Sequence, residues 1–186
     1  MQTIKVTSRE ELINIIHRAP LNADLNHLDV SAVTDMSLVF AGSRFNGDIS
    51  KWDVSRVTNM NSMFSDGWFT GDISQWDVSQ VTDMNGVFSC SQFNGDISCW
   101  NVSSVKDMGW MFAGSQFNSD ISRWDVSHVT DMRWMFHKSL FNGDISKWDV
   151  GNVKIMKAMF RCSRFNSDIS RWSIGPDTDV NGMFDK

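Results

Sequence analysis

The residues of this chain with chemical potential are its aspartates, cysteines and histidines, and the aspartates are the most ordered. Asp24, Asp48, Asp72, Asp96, Asp120, Asp144 and Asp168 recur at one strict interval. Most sit in Asn-Gly-Asp or Asn-Ser-Asp turns, with Asn22, Asn46, Asn94, Asn118, Asn142 and Asn166 two positions earlier and Thr70 as the exception. Gly- and Asp-rich repeats can bind calcium. A Ca²⁺ ion takes about six to eight oxygens, and each of these turns supplies one carboxylate. The column therefore reads as turn chemistry, in which Asn and Asp side chains bond nearby backbone N–H groups and stacked Asn side chains bond one another.

The three cysteines are Cys90, Cys99 and Cys162. Cys90 and Cys162 share a column three repeats apart, about 14 Å on a stacking rise of about 4.8 Å. A disulfide needs Cα atoms within about 7 Å. Three free thiols are expected, which suits a reducing compartment. His17, His27, His128 and His137 show no metal-ligand spacing. No phosphate-binding glycine loop and no nucleophile elbow occurs. Cys99, Asp125 and His128 form the one set that offers a nucleophile and a base, and the aspartate ladder already accounts for Asp125. The sequence predicts a protein that is not an enzyme, with no cofactor and no metal.

Composition narrows the partners. Of 186 residues, 41% are hydrophobic and 21% charged, as in ordinary globular chains. The net charge of −5 argues against nucleic acid, which binds basic surfaces, and permits a basic protein partner. No stretch approaches the roughly 20 apolar residues of a membrane span. The opening "MQTIKVTSREELINIIHRAP" lacks a basic start, an apolar core and a small-residue cleavage site, so no signal peptide is expected. As written, the chain reads as cytoplasmic.

The elements that position these residues follow from the period. Trp52, Trp76, Trp100, Trp124, Trp148 and Trp172 recur at the interval of the aspartates, as do Phe40 to Phe184 and Phe45 to Phe165 in two further columns. Within a repeat, Trp52 and Val54 alternate with Lys51, Asp53 and Ser55, which predicts a short strand with the apolar pair inward. Val57, Met60, Met63 and Phe64 are spaced for about two turns of helix, with Ser55 or Thr58 as N-cap. One parallel strand plus one short helix in a repeat of about 24 residues is the unit of a leucine-rich-repeat-like solenoid, an α/β fold. Residues 21–186 form its coils, the last truncated as a C-terminal cap. Residues 1–20 read as a degenerate capping coil of strand plus helix, because Ile4, Val6, Leu12 and Ile16 fall in the columns of Leu28, Val30, Met36 and Phe40.

The recurring "FNGDISKWDVSRVTNM", with its "MF" soon after, resembles the repeat of the BspA-like leucine-rich-repeat surface proteins of bacteria. It is similar in particular to the branch described as a mycoplasma family of unknown function. The likeness covers residues 21–184. It implies a solenoid used for protein binding, often at the cell surface or secreted, and it implies no catalytic residues.

Function in a repeat protein is sought where the columns break or vary. Trp68, Trp110 and Trp134 lie outside the tryptophan column. The column of Trp110 and Trp134 otherwise holds Leu38, Ser62, Gly86, Ala158 and Gly182, a tolerant mixture that predicts a surface. Arg133, His137 and Leu140 are close in sequence. Exposed Trp with Arg is the composition of interface hot spots, so Trp110, Trp134, Trp68, Arg133, His137 and Leu140 are the candidate partner-binding set. The competing account is that the two Trp fill a groove between helices. A second candidate surface is the strand face, where Lys51, Arg123 and Lys147 run beside Asp53, Asp125 and Asp149; there the bland expectation is mutual neutralisation. The functional reading is a non-enzymatic protein-interaction module. A homodimer through the Trp patch, a bacterial surface adhesin fragment, and an acidic cytosolic inhibitor or immunity-type protein are its alternatives. An ice-binding threonine face (Thr34, Thr58, Thr82, Thr130) is interrupted by Lys106 and Lys154.

Overall fold

The computed structural model describes residues 3–186; the first two residues of the expected 1–20 cap lie outside that range. Strand β1 (Ile4–Lys5) leads into helix α1 (Arg9–Arg18), and strand β2 (Leu28–Asp29) follows. Helix α1 forms because its ends are satisfied. The Ser8 hydroxyl accepts from the Glu11 N–H at 3.2 Å, and the Glu11 carboxylate accepts from the Thr7 N–H at 2.9 Å. Glu10 and Glu11 lie in its first turn and His17 and Arg18 in its last, the arrangement the helix dipole favours. Leu12 and Ile16 are buried, and Ile13, Ile15 and Ala19 pack against the core. The two strands pair in parallel, Ile4 with Leu28 and Lys5 with Asp29, an offset of one repeat.

Beyond β2, successive repeats are joined by single parallel bridges. They run from Asp35 to Asn59 and on through Asp83, Asp107, Asp131 and Ile155 to Asp179. These residues lie in the "VTDM" segment and not in the Trp-Asp-Val segment, where the sequence predicts a strand in each repeat. The pairing of Leu28 and Asp29 is the one place where that column forms a named strand.

The expected helix of each repeat is replaced by a run of tight turns. The reason lies in the backbone. In the repeat from Met84, the N–H groups of Met84, Gly86, Phe88 and Cys90 donate to the carbonyls of Asp107, Gly109, Met111 and Ala113, at 2.7–2.9 Å. A helix would direct such donors to its own chain four residues back. Here alternate N–H groups serve the next repeat, and a left-handed residue at every second such donor keeps the run from closing into a helix. Two columns take a positive φ. One is Leu38, Ser62, Gly86, Trp110, Trp134, Ala158 and Gly182; the other is Gly42, Asp66, Cys90, Gly114, Lys138 and Cys162.

Aspartate and asparagine side chains close three more turns in most repeats. Asp72, Asp77 and Asp83 each accept, through Oδ1, the N–H two residues later, from Ser74, Ser79 and Asn85 at 2.9–3.0 Å. This Asx-turn geometry recurs along all three columns and explains the spacing of the carboxylates. Asn side chains add bonds between repeats: Asn94 Oδ1 accepts from the Asn118 N–H, and Asn118 Oδ1 from the Asn142 N–H.

The core is aromatic and layered. Phe88 stacks on Phe112 at 5.8 Å between centroids and on Phe93 at 4.4 Å. Trp124 lies parallel to Trp148 at 6.5 Å. Each core indole also finds a polar partner: Trp124 Nε1 donates to the Ile97 carbonyl at 3.1 Å, and a bond of the same offset serves every tryptophan of the column. Buried Trp is stable only with its N–H satisfied. The core thins at its last layer, where Ile174, Val180 and Phe184 are exposed.

Candidate functional site

Trp110 and Trp134 are held by the left-handed column, with φ of 58° and 57°. For a residue with a Cβ this conformation costs roughly 1–2 kcal/mol. The backbone imposes it, since the N–H of Trp110 donates to the Arg133 carbonyl and that of Trp134 to the Lys157 carbonyl, both at 2.9 Å. One repeat apart, the two indoles stack at 4.9 Å and 6°. His137 meets both edge-on, at 4.6 Å from Trp134 and 6.3 Å from Trp110. The outer face of Trp134 carries the guanidinium of Arg161, 5.8 Å from the ring centroid. Trp134 is half-buried, whereas Trp110 is 38% exposed.

The imidazole is fixed by a 2.9 Å contact between Nδ1 and the Arg161 carbonyl, so Nδ1 carries the proton in the neutral ring. Burial, with help from the charges of Lys138 and Arg161, lowers the His137 pKa against the pull of that bond. At neutral pH His137 is an uncharged edge of the aromatic cluster.

The other expected members of the patch are placed elsewhere. Arg133 turns to Asp131, with Nε 2.6 Å from Oδ2, and this pairing raises the arginine pKa further. Trp68, 51% exposed, lies under Arg44 at 5.1 Å and lines a shallow concavity with Leu21, Asn46 and Thr70. Leu140 is exposed in the column of Trp68, three repeats on. Arg44 stands one repeat before Trp68 in the same column, whereas Arg161 is the member that the columns did not reveal. Arg161 lies one repeat plus a turn beyond Trp134, and that offset is the one by which each core indole finds its carbonyl.

The strand-face candidates form no charge ladder. Asp53 and Asp125 take the N–H of Ser55 and Ser127, and Asp149 that of Gly151. Among the described residues no ion pair joins them to Lys51, Arg123 or Lys147, so serines and backbone, not the basic stripe, balance these carboxylates. The hydroxyl and N–H of Ser127 hold the Asp125 carboxyl below its usual range. Lys147 instead borders a polar hollow with Asp144, Asp168 and Arg171.

One carboxylate, bonded in the same way, is shifted in the opposite direction. Asp107 is half-buried in the bridged column, and burial pushes its pKa up, against the bonds from the Gly109 N–H and Asn85 Nδ2 and with the charges of Asp131 and Asp83 adding to the rise. Cys90, Cys99 and Cys162 are exposed free thiols. Among the described residues no group of three or more His, Cys, Asp or Glu is placed to hold a metal, and no helix is long and apolar enough to cross a membrane.

The family model described as "Mycoplasma protein of unknown function, DUF285" matches twice, over residues 10–116 and 89–186. No curated protein and no solved structure matches the chain.

Proposed function

Because the chain belongs to the Mycoplasma protein family of unknown function, DUF285, whose name assigns no chemistry, we propose its role from its own surface: it is a non-enzymatic scaffold that binds another protein. The stacked repeats read as an α/β solenoid of the leucine-rich-repeat-like kind, with residues 1–20 as its capping coil, and the repeat resembles that of the BspA-like surface proteins. The parallel bridges from each repeat to the next support the solenoid reading.

One observation carries the binding role. Trp110 and Trp134 occupy left-handed backbone at a position where glycine is the low-strain residue, and they are not compensated by full burial. The left-handed φ is common to the whole column, but at 110 and 134 alone it carries a large aromatic side chain, and the stacked pair is left partly open. A rigid aromatic pair edged by His137 and Arg161 is the composition of an interface anchor. The test is affinity capture from lysate and culture fluid with wild type and the Trp110→Ala, Trp134→Ala double variant, both checked by thermal melting. A partner held by wild type and lost by a folded double variant supports the reading. A partner that both capture equally removes the Trp pair from function.

A further inference from the structure

The repeat departs from its own pattern three times within four residues, at Gly67, Trp68 and Thr70. Elsewhere the column of Gly67 holds serine, and the hydroxyls of Ser43, Ser91, Ser115, Ser139 and Ser163 accept the N–H of the phenylalanine two residues on. Gly67 leaves the Phe69 N–H without that acceptor. Thr70 interrupts the asparagine ladder. Its own N–H donates to Asn46 Oδ1 at 2.8 Å, but it has no side-chain carbonyl to offer in turn, so the Asn94 N–H lacks the acceptor that Asn118, Asn142 and Asn166 keep. Trp68 and Thr70 border a hollow of about 400 Å³, within the range of about 300–1,000 Å³ that ligand pockets span. Leu21, Asn22, Arg44 and Gln92 complete its rim, and Leu21 and Trp68 are exposed there.

We propose that this hollow receives an acidic side chain of the protein partner, its carboxylate on the Arg44 guanidinium and an adjoining apolar residue against Leu21 and Trp68. The inference rests on the binding role proposed above and gives that partner a second contact of stated chemistry. Charge selects a carboxylate. The chain carries 22 acidic residues, yet none borders the hollow, where Arg44 is the one charged group. Arg9 and Arg133 each pair with an acid of the chain, whereas Arg44 has no ion pair among the described residues. Its guanidinium is held over the Trp68 ring, 5.1 Å from the centroid. Stacking occupies the face of a guanidinium and leaves its edge N–H groups for a carboxylate, which they meet two at a time. The indole also fixes the long side chain in advance, so less rotamer freedom is lost on binding. The open Asn94 N–H beside Thr70 adds a neutral donor to the same rim. The two exposed apolar side chains supply the rest of the contact, since a carboxylate alone would leave them in water.

The test is a titration of the full-length chain with the dipeptide N-acetyl-Leu-Glu amide, followed by NMR of the Trp68 indole and Arg44 Nε–H signals, with N-acetyl-Leu-Gln amide and glucuronate in parallel. The acidic dipeptide shifts both signals saturably, less so as salt is raised, and the buried Trp124 indole does not move. The Gln dipeptide binds about tenfold more weakly, the size of a charge-assisted pair. Arg44→Gln, a residue that Gln92 and Gln116 already place in this column, weakens the acidic dipeptide by a similar factor. Thr70→Asn restores the ladder, occupies the Asn94 N–H and weakens it about threefold; it serves where Arg44→Gln does not fold. Absence of a shift, equal binding of the two dipeptides, or a response that neither variant changes overturns the carboxylate assignment. Tighter binding of glucuronate makes the hollow a sugar site and overturns the protein occupant. If the double alanine variant loses a captured partner while the acidic dipeptide is silent, the Trp-pair reading stands and this one falls. If Arg44→Gln loses the partner and the double alanine variant keeps it, this reading stands and the Trp pair falls. A partner kept by every variant overturns both.

Discussion

Lys138 and Lys157 test the left-handed positions of the repeat directly. Both are exposed, but their backbones differ: Lys138 has φ 53°, while Lys157 is outside the left-handed set. Replacing Lys138 by glycine removes a left-handed penalty of about 1–2 kcal/mol. It adds the greater unfolded-state freedom of glycine, about 0.5–1 kcal/mol. Its N–H bond to the Arg161 carbonyl at 2.9 Å is unaffected. The net is a stabilisation of about 0.5–1 kcal/mol. Lys157→Gly has no strain to release and loses about 0.5–1 kcal/mol. Each variant removes one positive charge, so electrostatics cancels in the comparison. For a chain of this length the two melting temperatures separate by about 2–8 °C, since each kcal/mol moves Tm by about 2–4 °C. Calorimetry and urea unfolding both read this difference. Equal losses in the two variants, or a loss at Lys138 alone, would refute the left-handed position as a requirement of the inter-repeat bonds.

Two further predictions address the core and the carboxylates. Trp124→Phe removes one of the two bonds that the Ile97 carbonyl accepts, the Trp100 N–H keeping the other at 3.1 Å, and leaves a void, for a loss of about 1–3 kcal/mol in urea unfolding; a loss below about 0.5 kcal/mol would mean that the indole N–H is dispensable. The Ser-bonded aspartates, Asp72, Asp77, Asp120 and Asp125 among them, have pKa values below the ordinary 3.8. Their stabilisation is present above that value and is lost as pH falls through the lowered ones. Asp107 has the opposite sign: its raised pKa means a contribution complete below 3.8 and lost as pH rises through the folded value. Asp107→Asn, which keeps the turn as Asn59 does with the Asn61 N–H at 2.9 Å, therefore stabilises at pH 7 and loses its advantage below about pH 4, read as Tm against pH.

The period and the core columns were legible because each apolar column is strict and each buried ring has a like neighbour one repeat away. The local backbone was not. Val57, Met60, Met63 and Phe64, at spacings of 3, 3 and 1, suit a helical face, and they equally suit a turn run whose alternate N–H groups leave the repeat. What distinguished the two was present but diluted. Gly42, Gly86, Gly114 and Gly182 fall in two columns, and the Ser, Cys, Lys and Trp that share them hide the demand for positive φ. The Trp110–Trp134 pair was visible as a departure from the repeat. Its partner Arg161 was not, because a reach of one repeat plus a turn crosses columns. Arg133 was expected beside the pair from proximity in sequence, but a carboxylate two residues away holds it.

The bonds between repeats run from column to column, as in the Thr58, Thr82, Lys106, Thr130 and Lys154 backbone chain, where each N–H meets the carbonyl one period earlier. An in-frame gain or loss of one whole repeat would therefore return every column to an equivalent partner. The distance between the Trp68–Arg44 concavity and the Trp110–Trp134 stack is then a discrete quantity, set by copy number in steps of one layer. Such a chain can change the separation of two contact points without redesigning either, as a ruler is lengthened by adding divisions.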